Sequence, residues 1–223
     1  MFFPYKDDNP TYSFPWVTLT ILAANIGVYV WQLLSPLSDL VIVSRYGAIP
    51  YALTSFDKVQ PISPFATVFT SMFMHGGLFH LLGNMLYLWI FGDNVEDAIG
   101  HFRFLVFYLL SGIVAVYGHA FTDPDSLVPM VGASGAVSGI LGAYLLLFPG
   151  ARVFTLVFFG LFWVIQIPAI IVIGMWAVMQ FMNGLVSAAV PHQGGGVAWF
   201  AHIGGFVFGM LTIRFWLPAR LRR

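Results

Sequence analysis

The chain has 223 residues, 59% hydrophobic and 8% charged, and its nine basic and nine acidic residues cancel to a formal net charge of zero. A soluble domain carries roughly 25% charged residues, so these proportions exclude one and point to a polytopic membrane protein. The balanced charge gives no reason to expect a nucleic-acid partner, and the absence of cysteine excludes disulfides, thiol catalysis and cysteine metal sites.

A short N-terminal segment, 1–13, precedes a first apolar run that lacks a small-residue cleavage site and reads as an uncleaved span. Crossing a bilayer takes about 20 apolar residues. Six runs meet or approach that length: 14–34, 72–92, 102–121, 133–148, part of 153–190, and 197–217. Pro168 interrupts the long fifth run, and proline lacks the donor that a helix interior needs. The fifth span is therefore expected over 168–188, with 153–167 lying at the interface or re-entering. The expectation is an all-α membrane protein, a single domain over 1–223 built as a six-helix bundle.

Orientation follows from the basic residues. With both termini cytoplasmic, Lys6, Arg103, Arg152, Arg214, Arg220, Arg222 and Arg223 lie inside and only Arg45 and Lys58 outside, as the positive-inside rule requires. Segment 35–71 is then an external loop that can rest partly in lipid headgroups, and 218–223 is a basic cytoplasmic tail. Trp16, Trp31, Trp89, Trp199 and Trp216 fall near span ends, as an aromatic belt would place them.

Two polar residues stand out inside the fourth and sixth runs, Ser134 and His202. A hydroxyl and an imidazole in hydrocarbon are costly unless each finds a partner. The fourth run is only 16 residues long, roughly 24 Å of helix, and Ser134 falls roughly 8 Å below the external boundary. Counted from the cytoplasmic side, His202 lies at about the same depth. Ser134, Gly135, Ser138 and Gly142 share one side of the fourth helix, and His202, Gly205 and Gly209 form a stripe on the sixth. Small-residue stripes let membrane helices approach closely. Gly135, Gly139, Gly205 and Gly209 also read simply as packing motifs, with Ser134 as one more small residue.

A second polar pair, His80 and Asn84, sits one helical turn apart in the second run. A serine nucleophile needs a base for its proton and preorganised donors for the oxyanion. His80, Asn84 and the Ser134 backbone N–H are candidates for those donors. Other intramembrane chemistries lack their residues. His75 and His80 have no glutamate between them for a zinc protease, and the acidic residues fall in loops or at span ends, Asp93, Glu96 and Asp97 reading as a cytoplasmic interface cluster. No carboxylate is placed to orient His202, so a dyad is expected rather than a triad. His75 is read as an interfacial residue or a border of the site, and solvation accounts for His101, His119 and His192.

The sequence Gly132-Ala133-Ser134-Gly135, the later Ala201-His202-Ile203-Gly204-Gly205, and His80 followed four positions on by Asn84 resemble the rhomboid family of intramembrane serine proteases. The stretch 75–100, with Gly92-Asp93-Asn94-Val95-Glu96, also resembles prokaryotic rhomboids, and the similarity covers about 71–210. The resemblance implies Ser134 as nucleophile, His202 as general base and acid, and an oxyanion hole of His80, Asn84 and the Ser134 backbone. It also implies that Gly132 lets the loop before the serine approach the reacting carbonyl. The loop at 192–197 and the fifth helix would correspond to the family's substrate gate.

By the same resemblance the protein would sit as a multi-pass protein in a prokaryotic cytoplasmic membrane. It would cleave transmembrane protein substrates near the outer face, with no cofactor, no metal and the lipid bilayer as its surroundings. A catalytically inactive rhomboid-like binding protein and a small-solute transporter are the alternatives. Two positions depart from the family pattern. Ala66-Thr67 stand where many members carry Trp-Arg, and Ser138 stands where some place a tyrosine stacked on the catalytic histidine.

Overall fold

The computed structural model describes residues 2–189 and 197–218. The helices are α1 (Trp16–Leu34), α2 (Asp39–Tyr46), α3 (Pro50–Ser55), α4 (Pro64–Ser71), α5 (Leu78–Ile99), α6 (His101–Ala120), α7 (Ser134–Leu147), α8 (Ala169–Ala189) and α9 (Trp199–Trp216). The strands are β1 (Phe2–Asp7), β2 (Arg152–Phe159) and β3 (Leu161–Pro168). By length and composition α1, α6 and α8 can each cross a membrane, and α7 is a shorter apolar helix.

α7 is the centre of the bundle. Its residues from Gly135 to Tyr144 are buried, and it packs most extensively on α9, then on α6 and α5. The contact with α9 is made backbone to backbone. A Cβ added at Gly205 would overlap the Gly135 carbonyl oxygen, and one at Gly209 would overlap that of Gly139. Below this seam Phe91, Phe104, Phe107, Tyr108, Ile140 and Tyr144 form the main core.

The second helix differs from its expected run at both ends. Residues 72–77 form a turn, and α5 then continues past Gly92 through Asp93, Asn94, Glu96 and Asp97. The acids do not end the helix because a neighbouring helix uses them. α1 starts after Pro15 without a side-chain cap, which leaves its first amides without intrahelical acceptors. Glu96, fully buried, accepts from Val17 N at 2.9 Å, Thr18 N at 2.7 Å and Thr18 Oγ1 at 2.6 Å. Its carboxylate also meets His101 Nδ1 at 2.6 Å. Asp97 accepts from Tyr12 N and Ser13 N. The acids expected as a cytoplasmic interface cluster thus include two that bond to the start of α1 and the segment before it, and His101, expected to be explained by solvation alone, is paired with Glu96. Gly100, at φ 85°, makes the sharp turn from α5 to α6 that an L side chain would resist.

The expectation of an all-α chain is also corrected. Residues 153–167, expected at the interface or re-entering, form the hairpin β2–β3, which pairs with the N-terminal strand in the order β1-β2-β3. Asp7 pairs with Val153, and Arg152 with Pro168. The hairpin sequence is rich in β-branched and aromatic residues, which suit a pleated surface. Val153, Thr155 and Val157 alternate into the protein, while Leu161 to Gln166 are exposed. Asp7, buried beneath the sheet, accepts from the Tyr144 hydroxyl and so ties the N-terminal strand to the base of α7.

Segment 35–71 is more ordered than a loop, because it contains α2, α3 and α4. Ser63 caps α4 through Ala66 N at 3.2 Å, with Pro64 at the first helical position. Gln60 Nε2 donates to Gly47 O at 2.8 Å, and Thr70 Oγ1 to Tyr46 O at 2.6 Å. These bonds anchor the segment although Ala66 and Thr67 replace the Trp-Arg pair.

Candidate active site

Ser134 is the first residue of α7, at a point where a helix leaves its leading amides free of intrahelical partners. The loop that delivers it is clamped to the segment before α5. Ala48 and Met130 exchange backbone bonds at 2.9 and 2.8 Å, and Gly132 N donates to Ser71 O at 2.8 Å. Gly132 has φ 128°, a conformation open to glycine, and a Cβ there would come within 2.7 Å of the His80 ring. The same Cβ position is 3.5 Å from Ser134 Oγ. His80 and the serine hydroxyl therefore bound one small space above Gly132.

The structure brings Ser134 and His202 together: Ser134 Oγ lies 2.8 Å from His202 Nε2. The glycine seam between α7 and α9 makes this approach possible, since both residues sit at the top of the stripes that meet there.

His80 is the third residue of α5, and its Nδ1 accepts from Gly76 N at 3.4 Å. That bond leaves Nε2 as the ring's donor, on the side toward Gly132. Asn84, buried one turn deeper, donates one amide hydrogen back to His80 O at 3.0 Å. His75 is buried against this pair, with its ring centroid 5.1 Å from that of His80. Gln32 on α1 holds the His75 backbone through two bonds of 3.0 Å. His75 thus borders the site rather than the interface.

The position of Ser138 carries no ring to the histidine; its hydroxyl donates to Ser134 O at 2.6 Å. Instead, Gln180 Oε1 of α8 lies 2.7 Å from His202 Nδ1. Trp176, one turn before Gln180, and Trp199, one turn before His202, set their rings 6.1 and 6.2 Å from the imidazole. Sequence reasoning passed over Gln180. The signal that singled out Ser134 also applied to it, an uncharged polar residue within an apolar span.

A cavity of about 30 Å³ lies beside Ser134, bordered by Ser71, Gly132, Gly135 and Ala201, which is room enough for a water molecule. An apolar groove of about 330 Å³ runs between α8 and α9, with His202 and Gln180 in its wall. Of the expected gate loop at 192–197, with Gly194, Gly195 and Gly196, all but Val197 lies outside the described residues, as do Arg220, Arg222 and Arg223.

The arrangement is that of a helical membrane protein with a serine at a helix N-terminus and a histidine from another helix against its hydroxyl. The rhomboid domain family matches residues 63–219, and the chain belongs to the rhomboid family. It is 30% identical over 149 residues to Rhomboid protein 1, mitochondrial, of Saccharomyces cerevisiae, covering 65% of this chain and 40% of that protein. It is 34% identical over 148 residues to Rhomboid protease AarA of Providencia stuartii, covering 57% and 49% respectively. With RHOMBOID-like protein 1 of Arabidopsis thaliana it shares 33% identity over 145 residues, covering 65% and 32%. The chain thus spans less than half the length of these curated relatives.

Proposed function

We propose that the protein is an intramembrane serine endopeptidase that cleaves transmembrane protein substrates near the outer membrane face. The observation that carries this reading is the 2.8 Å contact between Ser134 Oγ and His202 Nε2 in a rhomboid-family chain. The chain crosses a prokaryotic cytoplasmic membrane six times, α1, α5, α6, α7, α8 and α9 being the spans and both termini cytoplasmic. The bulky apolar side chains exposed on α8, such as Met175, Val178 and Phe181, suit a lipid surrounding.

In this mechanism His202 Nε2 takes the proton from Ser134 Oγ as the oxygen attacks the scissile carbonyl. The carbonyl oxygen becomes an oxyanion in the space over Gly132. It accepts hydrogen bonds there from the Ser134 backbone N–H, His80 Nε2 and Asn84, while the N-terminal dipole of α7 favours its charge. The tetrahedral intermediate collapses, His202 gives its proton to the leaving amine, and Ser134 keeps the acyl group. A water then repeats the sequence: His202 deprotonates it, it attacks the ester carbonyl, and the serine leaves with the returned proton. Neither cofactor nor metal enters the scheme.

An inactive rhomboid-like binding protein and a small-solute transporter are not favoured, because both reacting groups are present and in contact. The test uses the purified protein in liposomes with a fluorophosphonate probe and a single-span substrate. Labelling and cleavage are expected in the wild type and absent in Ser134→Ala and His202→Ala. Undiminished labelling of Ser134→Ala would overturn the reading.

A further inference from the structure

We propose that Gln180 is a positioning residue for His202, holding the imidazole in the tautomer and orientation that the Ser134 hydroxyl requires. The proposal rests on the serine–histidine reading above and adds a third residue to it, from a helix that carries neither reacting group.

α8 is largely exposed along its length, and its buried residues are Ala169, Ile173, Gln180 and Gly184. Three of the four are apolar or lack a side chain. Gln180 is the polar one, 7% exposed, and burying an amide in such a place is unfavourable unless it is bonded. Its carbonyl oxygen lies 2.7 Å from His202 Nδ1.

The chemistry of the ring fixes the direction of that bond. To accept the serine proton Nε2 must be bare, so the single hydrogen of neutral imidazole sits on Nδ1. Buried there, the N–H needs an acceptor, and Gln180 Oε1 is placed to be one. When Nε2 becomes protonated, the Nδ1–H bond persists and the ring does not rotate away. A carboxylate in this position both orients the ring and balances imidazolium charge. A neutral amide performs the first task alone.

The surroundings of His202 support this assignment. Among the described residues the titratable groups that act on it are His80 from α5 and His119 from α6, and no carboxylate is among them. Trp176 on α8 and Trp199 on α9 flank the ring at 6.1 and 6.2 Å without a polar atom that accepts from Nδ1. Ser138 is engaged with the Ser134 carbonyl. Gln180 is thus the group that takes over the orienting role left open by the absence of a ring at position 138.

The test compares Gln180→Leu and Gln180→Glu with the wild type in liposomes, measuring kcat and KM for a single-span substrate across pH 5–9, with Ser134→Ala as the blank. Gln180→Leu is expected to lower kcat about 10- to 100-fold, the size of effect seen where the orienting partner of a metal-bound histidine is lost, with KM nearly unchanged. Gln180→Glu restores an acceptor and is expected to recover part of that loss. It also moves the acid limb of the pH profile upward by about 1 unit, because a carboxylate favours imidazolium. A Gln180→Leu enzyme within twofold of wild type, or a Gln180→Glu profile that superimposes on it, would overturn the proposal while leaving the dyad intact. Should Gln180→Leu not fold, the Gln180→Glu pH profile decides by itself. Activity surviving in Ser134→Ala would instead remove the serine–histidine reading on which the proposal stands.

Discussion

Gly205 of α9 sits directly on the carbonyl oxygen of Gly135 of α7, with no room for a Cβ between them. Gly135 directly follows Ser134 in α7, and Gly205 lies one turn past His202 in α9. Separating the helices there would pull nucleophile from base. Gly205→Ala is expected to destabilise the protein by roughly 1–3 kcal/mol, the usual effect of overpacking. Activity should fall about 100-fold, since a displacement near 1 Å is enough for that loss. The control is Gly174→Ala on α8, where nothing lies within 4 Å of the new methyl, and which should leave both quantities close to wild type. Equal behaviour of the two variants in thermal unfolding and cleavage assays would contradict the role of the seam.

The two side chains proposed as oxyanion donors differ in their surroundings. Asn84 donates an amide hydrogen to His80 O, whereas His80 Nε2 faces the space over Gly132. Asn84→Ala should cost on the order of 3 kcal/mol of transition-state stabilisation, seen as a fall in kcat with the protein still folded. The fluorophosphonate labelling rate should drop in parallel. A change confined to KM would mean that Asn84 binds substrate instead.

Glu96 is a structural acid with a countable set of partners. Replacing it with alanine leaves the α1 amides of Val17 and Thr18 and the Thr18 hydroxyl without acceptors in a buried place. Glu96→Ala is expected to lower stability by about 3 kcal/mol, and Glu96→Gln, which keeps an acceptor, by less. Thermal unfolding in detergent followed by tryptophan fluorescence checks the order of the two variants.

Asp7 predicts a pH dependence outside the spans. Burial raises its pKa above the usual carboxylate value, against the opposing hydrogen bond from Tyr144. The folded state therefore binds this proton more tightly than the unfolded chain does. The stability it contributes is fully present below the unfolded pKa and is lost as pH rises through the raised folded value. Asp7→Asn should flatten that part of the profile of Tm against pH and raise Tm at neutral pH. A profile unaltered by the substitution would show that Asp7 does not contribute to it.

The class of the protein and the candidate residues Ser134 and His202, which the fold brings into contact, were legible without coordinates. Hydropathy over 20-residue windows is a local property, so the runs at 14–34, 102–121 and 133–148 agree with α1, α6 and α7 to within about two residues at each end. A serine, two histidines and an asparagine in apolar runs are conspicuous because the medium penalises them, and helical period put Gly135 and Gly205 each on a small-residue stripe of its own helix.

What tertiary structure decided are the pairings between segments distant in sequence. Residues 153–167 became strands because β1 was there to pair with them, and neither hydropathy nor period identifies a partner at the other end of the chain. Glu96 is buried because α1 presents uncapped amides to it, and Gln180 meets His202 because α8 packs its polar residue on α9. Polar partners of this kind are selected by three-dimensional proximity in a place where an unpaired donor is costly. The sequence by itself names the groups that need a partner, and only the packed helices decide which partner each one has.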